Sequence, residues 1–465
     1  MTSVQPTDAP TAQGASDADV VRLAVRLAAV MLAAGAQTDD IEDAIAHVSV
    51  AYGVPDVQYA VTFSSISVSH DDPRARRPTT FVRIVRERRN DFARLAGAAA
   101  LVDRIRDHQL TIDQAEDGIT DLEHAPWPYP RAIQYLAPPL SATGSTLVFG
   151  GSLADALATL AIALAVQPVL ARLDRSELPP FFRSFFGAAM STLLVALLVG
   201  LDLPIVGGLV LTGSLLGLLP GYALVSSFRD LIDQSIISGT ARVAEALLLG
   251  AGVAGGTALG VALAENAGVR LSIITVGGVD WSQIVSILAA LLAVGAFAVR
   301  FGVPWRHVWQ AALLGAVAWV VYIVIANGNR IVVSSLATFV AALLVGVLGR
   351  LIARSQRAPS ALWVGPAILP LLPGLQIVLA LLAPTDTERI TGLVAAAATA
   401  FTLGVGVGMG DIIVATALNV RDKVVAPAVD VVAGGVDDFI VAPVGRAVRG
   451  HHADDAGEGR DAPPS

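Results

Sequence analysis

The sequence contains no cysteine and few charged residues for its length. Without cysteine the chain can form no disulfide, thiolate metal site or thiol nucleophile. Only 15% of the 465 residues are charged, whereas 54% are hydrophobic and the mean hydropathy is +0.66. These values are typical of a protein with many membrane spans rather than of a soluble globular protein. We therefore predict a predominantly α-helical, polytopic membrane protein.

Other features that the sequence lacks exclude further classes of function. The net charge of -8 is spread over the termini and short loops without a basic stripe, which argues against nucleic-acid binding. No phosphate-binding loop with a Lys-Ser/Thr end is present, so the chain has no ATP site of its own. Residues 1–20 are polar and lack the pattern of a signal peptide, which predicts a cytoplasmic N-terminus. No cofactor or metal site is predicted, since the four histidines of the N-terminal part lack ligand spacing: His47, His70, His108 and His124.

A Leu-Leu-Pro-Gly stretch occurs twice, ending at Gly221 and at Gly374. The two copies are 153 residues apart, and so are Gly239 and Gly392, which follow them in small-residue pairs. This fixed register predicts two homologous halves. Each Pro-Gly pair lies in an apolar segment, where it removes a helical hydrogen bond and frees carbonyl groups that need another partner.

The first 130 residues predict a disordered N-terminus, 1–16, followed by a small cytosolic α+β domain with a linker, 17–130. Ser16 and Asp19 have the spacing of a capping box and start a first helix that ends at Gly35. Thr38 or Asp39 starts a second helix, whose apolar residues recur with helical period.

The sequence predicts strands, a helix and a linker for the remainder of this domain. Val57–Val68 and Thr79–Arg86 are rich in β-branched residues and flank a turn at residues 71–73, which predicts a hairpin. A third helix is predicted at Phe92–Asp107. The acidic segment Thr111–Glu123, followed by three closely spaced prolines, is predicted to be a linker or an interfacial segment.

Ten apolar stretches follow, each of a length that can cross a hydrocarbon core of about 30 Å. The first is interrupted by Pro138 and Pro139, so a nine-span alternative merges or discards it. The ten predicted spans are Ala132–Gly150, Ser152–Ala171, Phe182–Leu201, Pro204–Val225, Ala241–Ala264, Gln283–Val299, His307–Asn327, Ile331–Ala353, Ala361–Ala383 and Ile390–Leu418.

The distribution of basic residues between loops favours ten spans with the N-terminus inside. Loops on the opposite side contain only Arg270, Arg330 and Arg389. Loops on the predicted cytoplasmic side are richer in basic residues: Arg172, Arg175, Arg229, Arg242, Arg300, Arg306, Arg350, Arg354, Arg357, Arg421 and Lys423.

Ten spans in two halves of five have a topological consequence, because an odd number of crossings makes the second copy enter from the opposite side. The halves, 131–270 and 271–420, therefore form an inverted repeat, with a cytoplasmic tail at 421–465. Secondary transporters have this architecture, with broken helices of the two halves meeting near the membrane midplane.

Several stretches follow one another in a fixed order: Leu32–Glu42, Phe149–Ser152 with Asp155, Leu218–Gly221 with Arg229-Asp230 and Ser238-Gly239, and Pro366–Gly374. By the order and spacing of these stretches, which cover most of residues 20–418, the sequence resembles the threonine/serine exporter family. The resemblance implies a cytosolic N-terminal domain joined to ten spans in two related halves. It also implies export of threonine, serine and other small solutes, driven by the proton motive force.

Both Pro-Gly breaks, Pro220-Gly221 and Pro373-Gly374, are candidate parts of a transport path together with Gly239 and Gly392. The alternative for each break is a packing kink whose freed backbone groups are satisfied by neighbouring helices. The glycine run 404–410 of the last span predicts close helix packing.

Several charged residues are candidates for the path or for proton coupling. Asp155 either lines the path or forms a helix N-cap with Ser152. Arg229 and Asp230 either guard the cytoplasmic mouth or form a solvated ion pair. Two acids are candidate proton carriers, because a carboxylate inside a span exchanges protons more readily near neutral pH than one in water. They are Glu245, for which an ion pair with Arg242 is the alternative, and Asp411, which has no local partner.

We predict a proton-coupled secondary exporter of threonine and serine in the plasma membrane, not an enzyme, with both termini cytoplasmic. The half-helix ends would bind the zwitterion by their dipoles. Its partners would be the amino acid, protons and lipid, and a homo-oligomer is left open. Alternatives are an exporter of dicarboxylates such as succinate, a membrane-anchored sensor or hydrolase active in residues 1–130, and a passive channel.

Overall fold

The computed structural model describes residues 16–72, 77–176, 178–271, 283–326, 335–383 and 385–433, with side chains in the last range described to residue 417. Residues 1–15 of the predicted disordered N-terminus, Pro73 of the predicted turn and the tail beyond residue 433 lie outside these ranges, as do Asn327 and Arg330. Met1–Thr416 forms one compact unit, and Ala417–Ser465 forms a second, of which the end of one helix is described.

Residues 17–124, called here the N-terminal region, form four helices and a three-stranded antiparallel sheet. They run in the order α1 (Asp17–Ala33), α2 (Thr38–Ala51), β1 (Val57–Val61), β2 (Ser65–Asp72), β3 (Arg77–Ile84), α3 (Phe92–Arg106) and α4 (Ile112–His124). The predicted capping box starts α1, since the Asp19 carboxylate accepts from the backbone N–H and the hydroxyl of Ser16. Leu23, Leu27 and Ile66 are almost completely buried between α1 and the sheet.

Two predictions for this region need correction. The segment predicted as one long strand, Val57–Val68, is two strands, because the chain reverses after Val61 and β1 pairs with β2 in the register Val57 to His70. The segment predicted as a linker is the helix α4, started by a capping box between Thr111 and Gln114. Ile119 of α4 is completely buried, so this helix belongs to the core of the N-terminal region.

Residues 131–417, called here the helical region, follow directly. Its helices are α5 (Arg131–Val148), α6 (Leu153–Leu173), α7 (Pro180–Gly200), α8 (Gly207–Leu216), α9 (Gly221–Ile232), α10 (Ile236–Asn266), α11 (Gln283–Arg300), α12 (Trp305–Ile325), α13 (Ser335–Gln356), α14 (Ala361–Ala367), a 3-10 turn (Leu369–Leu371), α15 (Gly374–Leu382) and α16 (Asp386–Ala433).

Eight helical segments among the described residues are long and apolar enough to cross a membrane, and a ninth span results if α8 and α9 count as one. The first predicted span, now α5, is not among them. It contains Pro138 and Pro139 and begins with Arg131 and the polar Gln134, which lower its hydropathy. The chain is a polytopic membrane protein, while the number of ten spans stays a prediction.

Helices in this region approach one another closely at small residues. A Cβ atom placed on Gly144 of α5 would lie 2.7 Å from the backbone nitrogen of Ala293 in α11. The same operation on Gly252 of α10 would place the atom 2.8 Å from the carbonyl oxygen of Phe181 in α7. Backbone contact through glycine is typical of helix packing in membranes, where apolar side chains face lipid. Large apolar side chains accordingly point outwards, including Leu247, Ile284 and Trp309.

Candidate functional site

Both Leu-Leu-Pro-Gly stretches interrupt helices. In the first half, α8 ends at Leu216 and α9 begins at Gly221, with 55° between the two helix axes. In the second half, α14 ends at Ala367, and a 3-10 turn leads to α15, which begins at Gly374. Each proline is therefore the last residue before a new helix, a position at which its missing N–H costs no helical hydrogen bond.

The two breaks lie against each other. A Cβ atom on Gly221 would be 2.9 Å from Cδ1 of Leu372, and one on Gly374 would be 3.5 Å from Cδ1 of Leu219 and closer still to Leu216. Leu219 and Leu372 occupy equivalent positions in the two copies, as do the two glycines. Each break thus packs its glycine against the equivalent leucine of the other, an arrangement that a larger residue would push apart.

Protein groups contact the first break, which also borders a small cavity lined in part by Gly217 and Arg300. The Arg300 guanidinium donates to the carbonyl oxygen of Gly217 at 2.9 Å, which satisfies one of the freed backbone groups. The ring of Tyr222 packs against the rings of Phe92 and Phe301, with centroids 6.1 and 5.5 Å away. Phe92 belongs to α3, so the N-terminal region reaches the first break. The packing-kink interpretation accounts for these contacts.

The second break borders a cavity. It encloses about 370 Å³ of space between atoms, including the solvent at its opening. Two polar atoms of its lining are buried without a hydrogen-bond partner among the described residues, the indole nitrogen of Trp319 and the amide oxygen of Gln376. The lining consists of Phe149, Trp319, Tyr322, Thr338, Pro370, Leu371, Leu372, Pro373, Leu375, Gln376 and Thr399.

Three other predicted path residues lie in helix contacts. A Cβ atom on Gly239 would be 2.7 Å from Cγ of Leu231, and one on Gly392 would be 2.7 Å from Cβ of Ala380. Asp155 is 1% exposed, and its carboxylate accepts from the Ser152 amide at 2.7 Å and from the Val206 amide at 2.6 Å. It therefore caps α6, as the N-cap alternative expected, and also joins α6 to the start of α8.

A second group of charged side chains lies where the helical region meets the N-terminal region. Asp411 of α16 is approached by Arg229 at 3.4 Å and by Arg350 at 3.7 Å. Asp230 is 3.1 Å from Arg242. These five residues, called here the interface cluster, come from α9, α10, α13 and α16. Asp411 has partners after all, contributed by helices far away in the sequence.

Glu245 is neither buried inside a span nor paired with Arg242, the two positions that the sequence predicted for it. Its carboxylate lies 2.9 Å from Arg88, which precedes α3, rather than pairing with Arg242 one turn away. Its side chain is 43% exposed, so it is not an acid buried in a span. Burial lowers the pKa of Arg88, and the nearby Glu245 opposes that shift. The pair joins the N-terminal region to α10.

The beginning of α2 lies against the interface cluster. The Thr38 amide faces the Asp230 carboxylate, and the Arg242 guanidinium donates to the carbonyl oxygen of Ala36 at 3.0 Å. The half-buried Asp40 lies near Arg229. Burial, followed by the neighbouring Asp39 carboxylate, raises the pKa of Asp40 to about 7.

Sequence reasoning missed the cavity residues other than those of the Pro-Gly break, and it missed the ion pairs of the interface cluster and of Glu245. Trp319, Thr338 and Gln376 come from three helices, and no local motif connects them. Arg88 and Glu245 are 157 residues apart. The predicted path and proton-coupling residues do not converge on one cavity, because Pro373 lines it whereas the predicted proton carriers Asp411 and Glu245 lie at the interface with the N-terminal region. Among the described residues, no group of three or more His, Cys, Asp and Glu side chains could hold a metal ion.

The threonine/serine exporter family model matches residues 22–264, which is more than half of the chain. The chain belongs to the threonine/serine exporter family. A second model, described as Threonine/Serine exporter, ThrE, matches residues 286–417, so the two matches cover the N-terminal region and both halves of the helical region.

Two curated members of the family align over most of their length. The "probable threonine/serine exporter" of Mycobacterium tuberculosis is 31% identical over 408 residues, covering 84% of this chain and 76% of the relative. The "threonine/serine exporter" of Corynebacterium glutamicum is 26% identical over 407 residues, covering 85% and 82%. No solved structure matches the chain. Family and membrane helices together indicate a multi-pass plasma-membrane transporter.

Proposed function

We propose that the chain is a secondary exporter of threonine and serine, built from two inverted five-span halves and driven by the proton motive force. The observation that carries this proposal is the reciprocal packing of Gly221 on Leu372 and of Gly374 on Leu219. Contacts that exchange equivalent positions are typical of two copies related by a two-fold axis.

The spacing of the helices supports duplication over the whole helical region. Helices α5 to α10 and α11 to α16 correspond in order, and equivalent helices begin between 150 and 155 residues apart. Five crossings in each half would orient the copies in opposite directions. The two breaks would then meet between the halves, as the discontinuous helices of secondary transporters do.

The contacts of the N-terminal region support a cytoplasmic orientation of the N-terminus. This region binds the helical region at Phe301, at Arg357 and at Glu245, which lie beside the loops predicted to be basic. Basic loops are enriched on the cytoplasmic side. The C-terminus follows on the same side if the helical region has ten spans.

In this proposal the interface cluster lies at the cytoplasmic mouth, where Arg229 and Asp230 guard the path of the exported amino acid. Asp411 is the proposed carrier of the coupling proton, because it is mostly buried and lies between Arg229 and Arg350. Protonation of Asp411 would release the two guanidinium groups and allow the mouth to open. Glu245 serves instead to hold the N-terminal region through Arg88.

The dicarboxylate alternative depended on Arg229 or Arg242 facing the substrate. Both are engaged with carboxylates, Asp411 and Asp230, and neither lines the cavity at the second break. An export substrate without net charge therefore fits better than a dianion, which would need cationic partners.

The test is counterflow into proteoliposomes that hold purified full-length protein and unlabelled threonine. We expect labelled threonine to accumulate transiently above its external concentration, and unlabelled serine to compete. Succinate should not compete. Competition by succinate but not serine would favour the dicarboxylate exporter. Simple equilibration without an overshoot would indicate a channel, and no uptake at all would favour a sensor or hydrolase.

A further inference from the structure

We infer that the cavity at the second break is the amino-acid binding site, that it takes a small zwitterion without net charge, and that Trp319 and Gln376 are its recognition residues. This inference rests on the proposed function and gives it a location. The cavity beside the first break is smaller, about 200 Å³ including the solvent at its opening, and the charged Arg300 lines it, so it suits a zwitterion without net charge less well.

The strongest argument is a pair of unsatisfied polar atoms. The Trp319 indole nitrogen donates to no described residue although the side chain is 1% exposed, and the Gln376 amide oxygen accepts from none although it is buried. Buried polar groups in folded proteins almost always have partners, and an exception needs an explanation. Both atoms belong to residues that line one cavity, so a ligand with one acceptor and one donor would satisfy them.

The start of α15 supplies a place for the ligand's carboxylate. The first hydrogen bond of this helix runs from the Ile377 amide to the carbonyl oxygen of Pro373, at 3.0 Å. The amides of Leu375 and Gln376 therefore precede the helical ladder, and both residues line the cavity. Amides at a helix start attract anions because they are unpaired and the helix dipole is positive there.

The aromatic wall supplies a place for the ligand's ammonium group. Trp319 and Tyr322 are stacked with centroids 5.3 Å apart, and the rings of Phe149 and Trp319 are nearly perpendicular with centroids 6.4 Å apart. A cation is attracted to the face of an aromatic ring, and the Gln376 oxygen can accept from the same ammonium group. An α-amino acid carries both charges on one small molecule, and the wall and the helix start line the same cavity, so one ligand can use both.

The lining also determines which ligands are excluded. None of the described lining residues is charged, so a dianion, a cationic amino acid or an acidic amino acid would bring an unpaired charge into the cavity. Thr338 and Thr399 add hydroxyl groups, which suit a ligand with a hydroxyl of its own. Threonine and serine meet all these conditions.

The first experiment measures threonine binding to full-length protein in nanodiscs by scintillation proximity. Trp319→Phe keeps the ring but removes the N–H, and Gln376→Met keeps the length but removes the amide. Loss of one buried hydrogen bond should weaken binding about tenfold in each variant. The matched control is Trp309→Phe in the same helix, a tryptophan that is 62% exposed on the outer surface and should bind normally.

The second experiment uses the natural absence of cysteine and remains informative if Trp319→Phe does not fold. Leu375→Cys introduces a single thiol into the cavity lining and leaves the Trp319 and Gln376 side chains unchanged, and the rate of its reaction with a methanethiosulfonate reagent is measured. Threonine and serine should slow the reaction several-fold, and succinate and lysine should not. Labelling of Ser176→Cys, on an exposed loop, should be the same with and without threonine.

Normal binding in both cavity variants, or protection of the thiol by succinate, would overturn the inference. If wild-type protein shows threonine counterflow while the cavity variants bind normally, the site assignment fails and the proposed function stands. If wild-type protein neither binds threonine nor shows counterflow, the proposed function fails as well.

Discussion

The Arg242 guanidinium lies 3.1 Å from the Asp230 carboxylate, and both side chains are less than a tenth exposed. Through its hydrogen bond to Ala36, the same guanidinium joins α10 and α9 to the loop between α1 and α2. A buried pair of this kind is costly to break, because removal of one partner leaves the other charge buried and unpaired.

We expect Arg242→Met or Asp230→Leu alone to lower the free energy of unfolding by about 3–5 kcal/mol, and the double variant to recover most of that loss. Thermal unfolding in nanodiscs would measure the effect. Arg22→Ala, which removes an exposed pair with Asp19, should change stability by less than about 1 kcal/mol. A double variant as unstable as the sum of the single variants would contradict this account of the pair.

Asp40 makes the stability of the protein depend on pH. Burial and Asp39 raise its pKa from 3.8 to about 7, Arg229 and Arg350 oppose the shift, and Asp411 adds to it. Between those values the folded protein retains a proton that the unfolded chain has lost. The free energy of unfolding contributed by this group therefore falls as pH rises from about 4 to about 7, and the loss stays complete above that range.

The variant Asp40→Asn removes this titration. It should unfold at a higher temperature than wild type at pH 8 and at nearly the same temperature near pH 4. Asp43→Asn, on the exposed face of the same helix, is the matched control and should follow the wild-type curve. Parallel curves for Asp40→Asn and wild type over the whole range would show that Asp40 titrates normally.

The glycine run of α16 offers a matched pair of substitutions. A Cβ atom on Gly410 would be 2.8 Å from the backbone nitrogen of Val347 and would also meet the carbonyl oxygen of Leu343, whereas one on Gly408 would have no neighbour closer than 3.9 Å. Backbone atoms cannot rotate away, so Gly410→Ala must separate α16 from α13. We expect Gly410→Ala to lower the unfolding temperature by several degrees and Gly408→Ala to leave it unchanged, and equal effects would refute this packing argument.

Local patterns were enough to predict much of the helical structure. The capping boxes at Ser16 and Ser152 start helices where the spacing to the following aspartate indicated, and the two Pro-Gly pairs end and restart helices. These features depend on residues within one or two helical turns of each other. They can therefore be predicted from the sequence alone.

Two features of the N-terminal region were not predicted. The spacing of Thr111 and Gln114 is that of a capping box and indicates the helix α4, but the acidic composition of the segment and the prolines after it favoured a linker. The turn between β1 and β2, at Thr62–Ser64, contains no glycine, proline, asparagine or aspartate. The sequence therefore predicts one continuous strand there.

The candidate site was the least predictable part, since its residues meet only in the folded chain. Arg229 and Asp411 are 182 positions apart, and Trp319 and Gln376 belong to different helices. No spacing rule connects such pairs. The interpretation of Asp411 as an acid without a partner depended on its own helix alone, whereas its partners come from α9 and α13.

Proton coupling through Asp411 is most directly tested by threonine accumulation in proteoliposomes with an imposed pH gradient. Wild-type protein and Asp386→Asn, an 89% exposed control in the same helix, should accumulate threonine when the gradient is present and only equilibrate it when the gradient is absent. The variant Asp411→Asn should fold and equilibrate threonine without responding to the gradient. Accumulation by Asp411→Asn equal to that of wild type, or no response of wild type to the gradient, would contradict the proposed proton-coupled export.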